Sequence, residues 1–143
     1  MPLLNNIEKF CGTWKHDSNS DNYPEILEKL GIPAEVVQKI QETTLPMNPS
    51  LIGEKLTSKF EFMGKQQETT FILGVEGEEH DPIAGKKRRV TYTIEGDYLV
   101  SVFPDYNGSG TSMRLSRHFV DEDTIHTGVK FGDLEGWQVM KRC

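Results

Sequence analysis

Residues 111–119 read Thr111-Ser112-Met113-Arg114-Leu115-Ser116-Arg117-His118-Phe119. With the two-residue period of a strand, this stretch splits into two faces. Ser112, Arg114, Ser116 and His118 form one face, wholly polar; Met113, Leu115, Arg117 and Phe119 form the other. One arginine therefore stands among large apolar side chains. A guanidinium stays charged at any ordinary pH and carries only donors. Left unpaired inside a protein, it costs several kcal/mol. A buried acid, ordered water or an anionic guest must meet it. The inward face of this strand holds no acid, although one could come from another element. Water and a guest imply a sheet wrapped around a partly hydrated hollow.

The flanking sequence supports a wrapped sheet. After Pro46, short β-like runs alternate with turns. Strands are expected near Leu51–Ile52, Lys55–Phe62, Glu68–Leu73, Arg88–Ile94, Tyr98–Phe103, Thr111–Val120, Thr124–Lys130 and Gly136–Lys141. Gly53, Gly64, Gly96, Gly108, Gly110, Asp121-Glu122-Asp123 and Gly132-Asp133 mark turns. Such spacing suggests an antiparallel meander closed into a barrel. Before it, Gly12 to His16 reads as a first strand, and Ser18 to Asn22 as a cluster of turn and cap residues. Tyr23, Ile26, Leu27 and Leu30 then recur at helical spacing until Gly31. A second short helix follows Pro33, with Ala34, Val36, Val37 and Ile40 on its apolar side. No repeat, low-complexity segment or linker divides the chain, so residues 1–143 are expected to form one domain.

Composition bounds the function. The net charge of −6 argues against nucleic acid and against a general anionic-membrane binder. Hydrophobic residues make up 36%, which suits a barrel partly filled by something other than side chains; a polar surface explains it equally well. Two cysteines, Cys11 and Cys143, make neither a disulfide framework nor a zinc site. Neither a signal peptide nor a membrane span is evident. These features suggest a reduced, intracellular protein.

Several short motifs recur in a telling order: Gly12-Thr13-Trp14; Asn22-Tyr23, then Leu27 and Leu30-Gly31-Ile32; Phe71-Ile72-Leu73-Gly74-Val75-Glu76; and Arg117-His118-Phe119-Val120-Asp121. Together they resemble the intracellular lipid-binding protein family, which includes fatty-acid-binding and cellular retinoid-binding proteins. The resemblance covers nearly the whole chain. It implies an all-β fold, a ten-stranded antiparallel up-and-down β-barrel, or clam, with a helix-turn-helix lid between the first two strands. It also implies a monomeric, non-enzymatic carrier of one or two hydrophobic small molecules, fatty acids or retinoids. Such a carrier would be cytoplasmic, with nuclear entry possible and at most transient membrane contact, and would need no cofactor and no metal. A secreted lipocalin is the more distant alternative.

The resemblance places Arg117 at the family's first anion-anchoring arginine. In the last strand, where many fatty-acid carriers have Arg-x-Tyr, this chain reads Trp137-Gln138-Val139-Met140. One alignment turns Gln138 and Met140 inward; the other turns Trp137 and Val139 inward. Either way the second charge is missing, and the first pair resembles the retinol-binding branch. Tyr23 and Leu27 are carried over as ligand contacts in the lid. Met113 and Leu115 share the inward face of Arg117, and Phe62 and Met63 are candidates for the entrance rim.

Other signals have plainer readings. Lys86-Lys87-Arg88-Arg89 resembles a localisation run, but charges at a hairpin are ordinarily solvated. Glu25, Glu28, Glu35 and Glu42 against Lys29 and Lys39 do not make the basic lid that docks on anionic membranes. Glu78-Glu79-His80-Asp81 reads as a polar turn. None of His16, His80, His118 and His126 lies at metal-ligand spacing, and nothing assembles a nucleophile with a base.

Overall fold

The computed structural model describes residues 7–42, 44–62, 65–80, 87–106 and 110–143. A short 3-10 turn, Ile7–Phe10, leads into β1 (Gly12–Asn19). Two helices follow, α1 (Tyr23–Lys29) and α2 (Ala34–Glu42). The rest is sheet: β2 (Leu45–Met47), β3 (Ser50–Ile52), β4 (Lys55–Phe62), β5 (Lys65–Ile72), β6 (Gly77–His80), β7 (Lys87–Glu95), β8 (Tyr98–Phe103), β9 (Met113–Asp121), β10 (Thr124–Phe131) and β11 (Leu134–Arg142).

All the pairings are antiparallel, and consecutive strands pair from β6 through to β11. β11 then returns to β1, which closes the sheet on itself. β2 and β3 both lie against β4, as two halves of one strand interrupted at Asn48-Pro49. Counted so, the barrel has ten strands with the helices between the first and second, as expected. β5 and β6, the two ends of the ladder, have no register with each other among the described residues. They are held side by side instead. Phe71 packs so closely that a side chain on Gly77 would meet its ring at 2.7 Å, and Gly74 N–H donates to the Tyr92 carbonyl (2.8 Å).

Helix α1 is short and delimited by local chemistry. Pro24 sits in its first turn, where a missing N–H costs nothing. At its end Gly31 has φ +84°. Gly31 N–H donates to Glu28 O (3.0 Å) and Ile32 N–H to Leu27 O (3.1 Å), a Schellman closure that places Ile32 beside Leu27. Asn22 precedes the helix but gives it no side-chain cap. Its amide donates to Glu135 O (2.6 Å) while its carbonyl accepts from Ser20 Oγ (2.8 Å). The cap residue thus ties the helix to β11. There Gly136 leaves room for Ile26, whose Cδ1 a Cβ would meet at 2.7 Å.

Three local expectations need correction. β1 runs on to Asn19, past a register shift between His16 and Ser18, so Ser18 and Asn19 belong to a strand. Leu45-Pro46-Met47 is a strand segment. Glu78-Glu79-His80 is not a turn but most of β6, paired to β7. Met63, Gly64, Asp81 and Lys86 lie outside the described residues, as does the side chain of Phe62.

The interior divides into two apolar clusters. The roof lies under the helices and contains Tyr23, Ile26, Leu27, Phe71, Val90, Phe103, Tyr106, Met113, Val129 and Phe131. The floor is built on the 3-10 turn and contains Ile7, Phe10, Trp14, Leu56, Leu99, Ile125 and Met140. Tyr92 packs against both.

Candidate functional site

Between roof and floor runs a belt of polar side chains, and strand register explains it. Arg117 faces Thr127 across the β9–β10 ladder, and Thr127 faces Gln138 across β10–β11. On the other side Leu99 faces Arg117, and Ser101 lies two residues further along β8. Thr127 and Ser101 are buried. Trp137 is on the opposite face, 38% exposed. The ladder thus turns Gln138 and Met140 inward, and Trp137 outward.

Arg117 as a whole is half-buried, and its guanidinium is desolvated within electrostatic reach of Tyr92, Glu79, Arg88 and Tyr23. The ladder puts its side chain on the same face of the sheet as Thr127 and Leu99. Among the described residues its polar contact is one hydrogen bond, Nη1 donating to Ser101 Oγ (3.1 Å). Most of its five N–H groups thus remain open to a partner. Burial holds its pKa below the usual arginine value; Tyr92, Glu79 and Tyr23 oppose that shift, and Arg88 reinforces it.

A second cation enters from β7. Lys87 and Arg89 point to solvent, but Arg88 points inward, so the basic run is not uniformly solvated. Arg88 Nε and Nη2 both reach Glu79 Oε1 at 2.8 Å, directly opposite on β6. Arg88 Nη1 donates to Tyr106 Oη (2.9 Å), and the guanidinium lies over the rings of Phe103 and Tyr106. Tyr92 Oη donates to Glu79 Oε2 (3.0 Å). This acid does come from elsewhere, but its charge is already met by Arg88. Among the described residues the belt is left with one net positive charge, and Arg117 carries it.

The other residues singled out earlier are distributed around this belt. Tyr23 reaches down from α1. Its pKa is raised by burial to about 12, and nearby Arg117 acts against the rise. Leu27 and Met113 are buried in the roof, and Leu115 packs half-buried against it. Met140 lies lower, in the floor, opposite Ile125. Five belt residues escaped the sequence reading: Ser101, Thr127, Tyr92, Glu79 and Arg88. Ser101 alone left a local trace, as the one polar residue in the apolar run Leu99-Val100-Ser101-Val102-Phe103.

A curled ten-stranded sheet with a helical pair over one end and a charged belt inside defines a class of ligand-enclosing barrels. Within that class, the sequence profile of the lipocalin / cytosolic fatty-acid binding protein family matches residues 8–133, and the chain belongs to this family. It is 29% identical to gastrotropin of Rattus norvegicus over 93% of this chain and 97% of that protein. It is 33% identical to fatty acid-binding protein 1 of Fasciola gigantica, over 88% and 92%. Among solved structures, the Schistosoma mansoni fatty acid binding protein in complex with arachidonic acid superposes with a TM-score of 0.75 at 25% identity, covering 94% and 96%. The fluorescent protein UnaG superposes with a TM-score of 0.73 at 26% identity, covering 96% and 99%. No described helix is long and apolar enough to cross a membrane.

Proposed function

We propose that the chain is an intracellular, non-enzymatic carrier of a long-chain fatty acid or a related hydrophobic ligand. The ligand lies inside the barrel with its head group at Arg117. The observation that carries this reading is the Arg117 guanidinium: desolvated, charged, hydrogen-bonded to Ser101 and otherwise open to a partner. A carboxylate neutralises the one net charge of the belt and fills the vacant donors directly or through water. Gln138 offers a neutral amide to the same head group. Leu115 and Met113 line the path toward the roof, Met140 bounds the lower wall, and Tyr23 and Leu27 gate entry from α1. Burial of the acyl chain supplies most of the affinity, about 0.8 kcal/mol per CH₂. The polar belt selects head group and orientation. The names of the relatives, fatty acid-binding proteins among them, agree with this reading.

Gln138 favours a second reading. A neutral amide in β11, with Thr127 and Ser101 nearby, suits a hydroxyl or carbonyl head group such as that of a retinoid. Displacement of a fluorescent fatty-acid probe by oleate and by retinol separates the two. Arg117→Gln is expected to weaken oleate at least tenfold, about 1.4 kcal/mol, and retinol much less. Equal loss of both contradicts the carboxylate role, and failure of the unaltered protein to bind either contradicts the carrier reading.

A further inference from the structure

The outer wall of the barrel carries an unbroken row of rings across four strands. Tyr98 of β8 lies 4.7 Å from His118 of β9, centroid to centroid. His118 lies 5.2 Å from His126 of β10, and His126 is stacked 5.8 Å from Trp137 of β11. The two histidines are eight positions apart in sequence, which hides their relation, but they are direct partners across the β9–β10 ladder.

We propose that His118 and His126 form a two-imidazole site for a divalent late transition-metal ion, separate from the interior of the barrel. Two imidazoles that share one ion, each nitrogen about 2.1 Å from it, hold their ring centres about 5 Å apart. The observed separation of 5.2 Å, with the planes inclined at 51°, meets that requirement. His118 Nδ1 is buried and has no hydrogen-bond partner among the described residues, and an ion between the rings supplies the partner it lacks. Tyr98 and Trp137 flank the pair and restrict both rings, so little side-chain freedom remains to be lost on binding. Imidazole donors select Ni²⁺, Cu²⁺ and Zn²⁺ over Mg²⁺ and Ca²⁺, which want oxygen. Among the described residues no group of three or more His, Cys, Asp and Glu gathers to hold an ion, so the two half-buried imidazoles are the donors the protein offers, and water supplies the remaining ligands from the outer side of the pair.

Trp137 reports on this site, because Ni²⁺ bound beside His126 quenches its emission; Trp14, buried in the floor, supplies the remaining signal. Titration of the intact protein with NiCl₂ is expected to give one bound ion per chain by calorimetry and a saturable loss of emission. MgCl₂ is expected to give neither. His126→Asn and His118→Asn, checked for folding by circular dichroism, should each weaken Ni²⁺ binding at least tenfold. Trp137→Phe should abolish the optical change and keep the heat. Binding unchanged in His126→Asn, or no saturable binding in the unaltered protein, overturns the proposal; His126→Asn decides alone should His118→Asn fail to fold.

Discussion

The floor and the roof of the barrel are made of the same residue types and differ in how they are closed. At the base of the floor Trp14 and Ile125 have 0% exposure and Phe10 1%, with Leu99 and Met140 at 8%. Trp14 Nε1 donates to Phe10 O (2.9 Å), and the Arg142 guanidinium lies 4.3 Å from the Trp14 ring. Arg142 also donates to the carbonyls of Cys11 (2.7 Å), Lys9 (2.9 Å) and Glu122 (3.2 Å) and to Asp123 Oδ1 (3.1 Å). Several elements thus converge on one cation. The roof is buried to the same degree, with Ile26 and Val90 at 0% and Tyr23 at 8% exposure, and differs in its ties. Among the described residues the hydrogen bonds that tie the start of the helical lid to the sheet run to β11: Ser20 N–H to Trp137 O (2.9 Å), Trp137 N–H to Ser20 Oγ (3.0 Å), and Asn22 to Glu135 O. One end of the barrel is a fixed base and the other is a fastened cover, and the charged belt lies where they meet.

Substitutions should separate the two ends. The largest effect is expected for Trp14→Ala, about 4 kcal/mol of lost stability from a cavity in a floor that cannot collapse, measured by urea unfolding. Glu79→Gln should cost about 3 kcal/mol by the same measurement, because it removes the buried carboxylate that takes two hydrogen bonds from Arg88 and one from Tyr92. Leu27→Ala should cost about 2 kcal/mol, the low end for such a truncation, and should speed exchange of a bound fluorescent lipid in stopped flow. A Leu27 penalty as large as that of Trp14, with exchange unchanged, would erase the distinction between base and cover. The smallest effect concerns alkaline pH. An unfolded tyrosine loses its proton near pH 10, whereas Tyr23 in the folded protein holds it to about 12. The native state binds more protons between those values, so stability should be full below pH 10 and fall above it. Tyr23→Phe should flatten that decline in unfolding experiments at stepped pH.

Helix spacing around Tyr23, Ile26 and Leu27, and the alternation along β9, were legible because each depends on a short run of sequence. The inward arginine could be read for the same reason. Leu45-Pro46-Met47 was not legible, since Pro46 breaks the expected strand pattern. Glu79 and Arg88 were hidden for a different reason. Each sits in a run of charges that solvation alone explains, and only pairing across β6 and β7 turns one member of each run inward. The direction of Gln138 likewise depended on register with Thr127, a fact of the ladder and not of the strand itself.

The place where β5 and β6 stand side by side with no shared ladder among the described residues has a consequence for behaviour in crowded solution. An exposed strand edge is a template on which foreign chains add and aggregates grow. Here the sheet curls until its two edges shield each other, and Phe71 occupies the space beside Gly77 that an invading strand would need. The seam thus lets the wall stay unstitched along one line without offering that line to other molecules.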